Sequence, residues 1–142
     1  MTFYVRDSIK RYFYRMKHIM EAHRYLENAK ELLSDKAQEE DGYYKDKKYV
    51  KLAGHAAYTG ILVALDAYFG IKSKGRKSVD WYQNELAKVD KKILNAFNTA
   101  YEVLHLSMGY DGMPSAKIAI GGLEEVEKII NWVETKQELL SN

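Results

Sequence analysis

Cysteine is absent from this chain and proline occurs once. The first absence removes disulfides and every zinc centre built on thiolates. The second removes the commonest interruption of long helices, and neither glycine nor proline stands in the first forty residues. Long apolar runs are missing too. The most apolar stretch, Ala56 to Ala67, holds about 12 residues and includes Asp66, too little to span a bilayer. The N-terminal Met-Thr-Phe-Tyr-Val-Arg-Asp lacks the apolar segment of a secretory signal. A cytoplasmic home, no membrane and no cofactor are the expectations.

What the chain does have is an unbroken apolar ladder at its start. Val5, Ile9, Tyr12, Met16, Ile19, His23, Leu26, Leu33 and Ala37 fall mostly three or four residues apart, the spacing that keeps one face of an α-helix apolar. The ladder spans about 33 residues, or roughly 50 Å at 1.5 Å per residue. Charge is laid on it unevenly. The chain carries a net +2, yet residues 1–18 hold Arg6, Lys10, Arg11, Arg15 and Lys17 against Asp7 alone. A second basic run, Lys72 to Lys77, has four cations in six residues. Local charge of this kind bears on partners, whereas the overall balance says little.

At 142 residues the chain suits one domain with a single core, and no repeat or linker divides it. The pattern predicts an all-α fold, an up-down-up-down four-helix bundle with an extended first helix. Helices are expected at about residues 5–37, 46–69, 79–108 and 116–140. Asp46 is the expected N-cap of the second helix and Gly70 its left-handed stop. Ala53, Ala57, Gly60, Ala64 and Ala67 fall in one narrow sector, which makes this the central helix. Lys48, Lys51, His55, Thr59 and Asp66 form its expected wet strip.

Ser78 is a good N-cap for the third helix, with Asp80 in the first turn. Tyr82, Leu86, Val89, Ile93, Ala96, Ala100, Leu104 and Met108 line one face of it, and Gly109 is its expected end. Gly109 to Pro114 is the most turn-like stretch in the chain. The fourth helix carries Leu123, Val126, Ile129, Ile130, Val133 and Leu140. Starts at Ser115 and after Gly121-Gly122 both fit the pattern. The second and fourth helices reach about 36 Å at most, so the first must project beyond them or bend.

The projecting end interleaves Phe3, Tyr4, Tyr12, Phe13 and Tyr14 with five cations. Three readings compete for it. It pairs with a second copy, making a homodimer through the first helix. It contacts RNA or DNA, with cations on phosphates and rings on bases. Or it folds back or frays. Arg6, Lys10, Arg11 and Arg15, with Lys74, Arg76 and Lys77 from the second basic run, are the candidate nucleic-acid or anion-binding residues. A biological start at Met16 or Met20 would delete the overhang.

Other constellations have ordinary readings. Gly70 to Ser78 approaches a phosphate loop, but Arg76 displaces the lysine by one and a helix precedes it where a strand is needed. Glu102-x-x-His105 matches half of a di-iron site in a helical bundle, yet no second copy of the motif exists, so no metal site is expected. His18 and His23 stand about 140° apart on a helix and cannot share an ion; His23 is expected to be hydrogen-bonded and partly buried. The twelve tyrosines supply apolar bulk with a polar tip, suited to packing edges and interfaces. His105, Tyr110 and Asp111 lie within reach of one another. They read as a hydrogen-bonded cap on the turn, with an acid–base site as the alternative.

Ala22 to Leu33 (Ala-His-Arg-Tyr-Leu-Glu-Asn-Ala-Lys-Glu-Leu-Leu), followed by Tyr49 to Phe69, resembles the first two helices of HEPN-type bundles. These are small prokaryotic helical domains, often dimeric, of toxin-antitoxin and RNA-processing systems. The chain after about residue 20 also resembles a small uncharacterised helical family of Bacteroidetes-type bacteria, through Lys74 to Ser78 and Leu104 to Gly112. The second resemblance implies no known activity. The first implies RNA cleavage only where an arginine precedes a histidine by four to six intervening residues late in the domain. Neither His105 nor His55 has such an arginine, and Arg11 with His18 lies on the first helix. The resemblance therefore implies the non-catalytic roles: dimerisation, or pairing with a nucleotidyltransferase-like or nucleic-acid partner.

Overall fold

The computed structural model describes residues 3–71, 75 and 77–141, and side chains within 5–137 of that set. It is helical almost throughout. Helix α1 (Phe3–Glu31) runs on as a π-helical turn, Leu32–Ala37, in which the Gln38 N–H donates to the Leu33 carbonyl five residues back at 3.1 Å. A two-stranded antiparallel hairpin follows, β1 (Glu39–Glu40) and β2 (Tyr43–Tyr44). Then come α2 (Lys47–Phe69), α3 (Val79–Val89), α4 (Lys91–Ala100), a ten-residue π-helical segment (Tyr101–Tyr110) and α5 (Ala116–Ser141).

The hairpin stands between the first two expected helices, where the sequence pattern predicted no element. Asp41 and Gly42 both adopt left-handed backbone, φ 54° and 89°, the requirement of the tightest hairpin turn. The hairpin then holds the turn before α5. The Tyr44 N–H donates to the Pro114 carbonyl at 2.8 Å, and the Ala116 N–H to the Gly42 carbonyl at 3.0 Å. Tyr44 is half-buried there. Burial, and then the negative charge of Glu39 opposite it, push its phenol above the ordinary value.

Helix α2 is the hub. More than half of its residues are buried, including Ala53, Ala57, Gly60, Ala64 and Ala67 from the small-residue strip. Small side chains matter because backbones come close: a Cβ on Gly60 would stand 3.1 Å from the Ala22 carbonyl of α1. One on Gly54 would stand 2.5 Å from the Leu104 carbonyl and 2.9 Å from the Gly109 nitrogen. The π-helical segment is thus seated directly on α2. On its other side, a Cβ on Gly122 of α5 would meet Val103 at 2.7 Å. Of the glycine pair, Gly122 makes the close approach, and Gly121 faces open space. The start of α5 lies at Ala116, with the Ser115 hydroxyl accepting from the Ile118 N–H at 3.3 Å.

Several boundaries differ from the sequence pattern. The single third helix is two. Asp90 takes extended backbone (φ −162°, ψ 112°) between α3 and α4, and its carboxylate caps α4 by accepting from the Ile93 N–H at 3.0 Å. Val89, placed on the apolar face by its spacing, is exposed at this corner. Gly109 does not end a helix; it is buried inside the π-helical segment, which continues to Tyr110. Asp66 leaves the wet strip: it is half-buried and accepts a hydrogen bond from the Tyr82 hydroxyl of α3. Asp46, Gly70 (φ 69°) and Ser78 cap where expected. One hydrophobic cluster draws buried residues from α1, α2, α3, α4, α5 and both π-helical stretches. No described helix is long and apolar enough to cross a membrane.

Candidate functional site

Two places concentrate chemistry-bearing side chains. The first is the leading half of α1. Ladder residues from Ile19 onward are buried apart from the half-buried His23; those before Ile19 are not buried. Val5 is 43% exposed, Ile9 38%, Phe13 64% and Met20 63%. The physical cause is the end of α2. The Tyr14 hydroxyl donates to the Ile71 carbonyl, just past α2, at 3.0 Å. Residues before Tyr14 therefore run beyond their neighbour. An open groove of roughly 790 Å³ follows the exposed side of α1 and is lined by Phe13, Met16, Met20 and Arg24 among others.

The candidate cations are placed as follows. Arg6, Lys10 and Arg11 are exposed, and Arg15 is half-buried. The Arg11 guanidinium donates to the Ser8 hydroxyl at 3.3 Å. Lys77 is exposed, with its ammonium 6.0 Å from the Trp81 ring centre. Lys74 and Arg76 lie outside the described residues. The Tyr14–Ile71 bond brings Ile71, which precedes the second basic run in the sequence, to the first run.

The second place is an aromatic nest around His105. The π-helical geometry builds it. Hydrogen bonds from i to i+5 put His105 and Tyr110 in one row, with Tyr101 beside them. In an α-helix, at about 100° per residue, Tyr101 and Tyr110 would stand on opposite sides. The His105 ring stacks on Tyr101 at 5.3 Å, tilts against Tyr58 of α2 at 4.9 Å and meets the edge of Tyr110 at 5.3 Å. His55 of α2 lies edge-on at 6.2 Å. Gly109 makes room for it: a Cβ there would stand 3.0 Å from the His55 ring.

The Nδ1 of His105 is buried with no hydrogen-bond partner among the described residues. Burial, and then the neighbouring His55, push His105 below the ordinary histidine value. The expected cluster of His105, Tyr110 and Asp111 is brought together only in part. Asp111 is exposed, and among the described residues only its backbone N–H, 3.1 Å from the Leu106 carbonyl, engages the turn. Sequence spacing gave no sign of Tyr58 and His55, because they come from another helix. No group of three or more metal-ligating side chains occurs among the described residues. His23 is a hydrogen-bonded side chain on the ladder, its Nε2 lying 2.7 Å from the Glu134 carboxylate of α5.

A family model for a domain of unknown function, DUF5618, matches residues 17–135. The chain belongs to the DUF5618 family. A solved structure is similar to it: a protein of unknown function from Dyadobacter fermentans, with TM-score 0.81 and 56% identity, covering 85% of this chain and 97% of that one. No curated protein matches. The DUF5618 match takes in His55, Tyr58, Tyr101, His105 and Tyr110, and begins after Arg6, Lys10, Arg11 and Arg15.

Proposed function

We propose that this chain is a non-enzymatic interaction protein, HEPN-like in its non-catalytic sense, that forms a homodimer through α1. The proposal includes an up-down-up-down four-helix bundle, with α3, α4 and the π-helical segment together as the third arm, and a cytoplasmic home. One observation carries it: α1 presents Ile9, Phe13 and Met20 to solvent over a stretch with no covering helix among the described residues. An exposed apolar stripe of that kind is characteristic of an association surface. Light scattering on the full chain tests it. A dimer that becomes a monomer with Ile9→Glu and Phe13→Glu, without loss of melting temperature, is the expected result. A monomeric parent chain sinks the reading.

A second reading is supported by the Tyr14–Ile71 bond, which brings Ile71, the residue before the second basic run in the sequence, to the first basic run. In it, Arg6, Lys10, Arg11, Arg15, Lys74, Arg76 and Lys77 make one cationic surface for RNA or DNA. Its signature is affinity for a labelled single-stranded RNA that falls steeply with salt and drops with Arg11→Glu and Arg76→Glu. Unchanged binding, or none at low salt, removes it.

A further inference from the structure

We propose that the α1 helices of two copies pair antiparallel, the basic leading half of each lying along the weakly acidic trailing half of the other. This rests on the self-association reading above and adds orientation and register to it. The first support is charge. Residues 1–18 have five cations against Asp7 alone; residues 19–31, the rest of α1, have Glu21, Glu27 and Glu31 against Arg24 and Lys30. The two halves of α1 thus carry +4 and −1. Parallel pairing sets the two +4 halves against each other, whereas antiparallel pairing sets each of them against a half that carries slight negative charge. Juxtaposed like charge is costly at an interface.

The second support is which residues share the exposed face. At about 100° per residue, Arg6, Phe13, Met20, Arg24 and Glu31 lie in one narrow strip, opposite the buried strip of Ile19, Ala22, Leu26 and Ala29. All five are exposed. A two-fold contact is self-complementary, so each pair occurs twice. With the two-fold axis beside His18 and Ile19, that strip places Arg6 against the partner's Glu31 and Phe13 under the partner's Arg24, a cation–π arrangement. Lys17 then meets the partner's Glu21, and Met16 the partner's Met20. The axis falls in the groove that Phe13, Met16, Met20 and Arg24 line. The face points away from α2 and α5, so pairing leaves the hydrophobic core untouched.

The lack of cysteine makes the test direct, since every thiol is one introduced on purpose. The full chain with Phe13→Cys and Arg24→Cys is expected to form a covalent dimer on mild oxidation. Phe13→Cys alone is expected to stay uncrosslinked, because two copies of that position stand about 16 Å apart along the antiparallel pair. Crosslinking of Phe13→Cys alone means a parallel pair and overturns the orientation while self-association stands. A parent chain that is dimeric by light scattering, with neither variant crosslinking, places the contact on another face and also overturns it. A monomeric parent removes this inference together with the reading it rests on.

Discussion

From Val5 to His18, α1 has no fully buried side chain; from Ile19 on, Ile19, Ala22, Leu26 and Ala29 return every three or four residues with almost no exposure. The apolar spacing is the same in both halves, and the helix runs through without a break. What changes is the neighbour. The trailing half lies against α2, where Gly60 lets the backbones approach, and is tied to α5 through His23 and Glu134. The leading half passes the end of α2 at Tyr14. Periodicity states which residues share a face; the lengths of the partners decide whether that face is covered.

The contrast breaks most sharply under matched truncations. Leu26→Ala should cost about 3 kcal/mol in urea unfolding, the usual result of emptying a closed core site. Ile9→Ala should change monomer stability by less than about 0.5 kcal/mol. Equal losses would mean that the leading half is part of the core. The glycines sharpen the comparison on the other helices. Gly54→Ala should cost about 2 kcal/mol, since its Cβ meets backbone atoms of the π-helical segment. Gly121→Ala, with open space around it, should stabilise by up to about 1 kcal/mol through helix propensity. Asp90→Ala, which removes the α4 cap, should cost about 1 kcal/mol in the same assay.

The smallest effect is a pH dependence confined to the covered region. His105 resists protonation when folded, by burial and by His55. The unfolded chain therefore takes up a proton near pH 6.5 that the folded chain refuses. The stability this confers is complete above that value and is lost as the pH falls from there through the lower folded value. Melting temperature should drop more over that window in the parent than in His105→Phe. Parallel curves for the two proteins would contradict it.

The caps at Asp46, Gly70 and Ser78 were legible because each depends on a few local residues, and so was the buried small-residue strip of α2. Asp90 was hidden because Leu86, Val89 and Ile93 keep helical spacing straight across the break. Asp41-Gly42 carried a hairpin signal that the acidic residues around it masked. The nest around His105 could not be read from chain order. It needs a π-helical register to turn Tyr110 toward Tyr101, and two side chains from α2. The sequence showed the candidate cations, but not that Ile71, 57 residues away along the chain, meets Tyr14.

Amide hydrogen exchange along α1, measured on the full chain over a range of protein concentrations, tests the central contrast most directly. Protection from Ile19 to Glu31 should be high and independent of concentration, because the core supplies it. Protection from Val5 to His18 should be weak when dilute and rise with concentration as the second copy covers that half. High protection in both halves at every concentration would contradict the account.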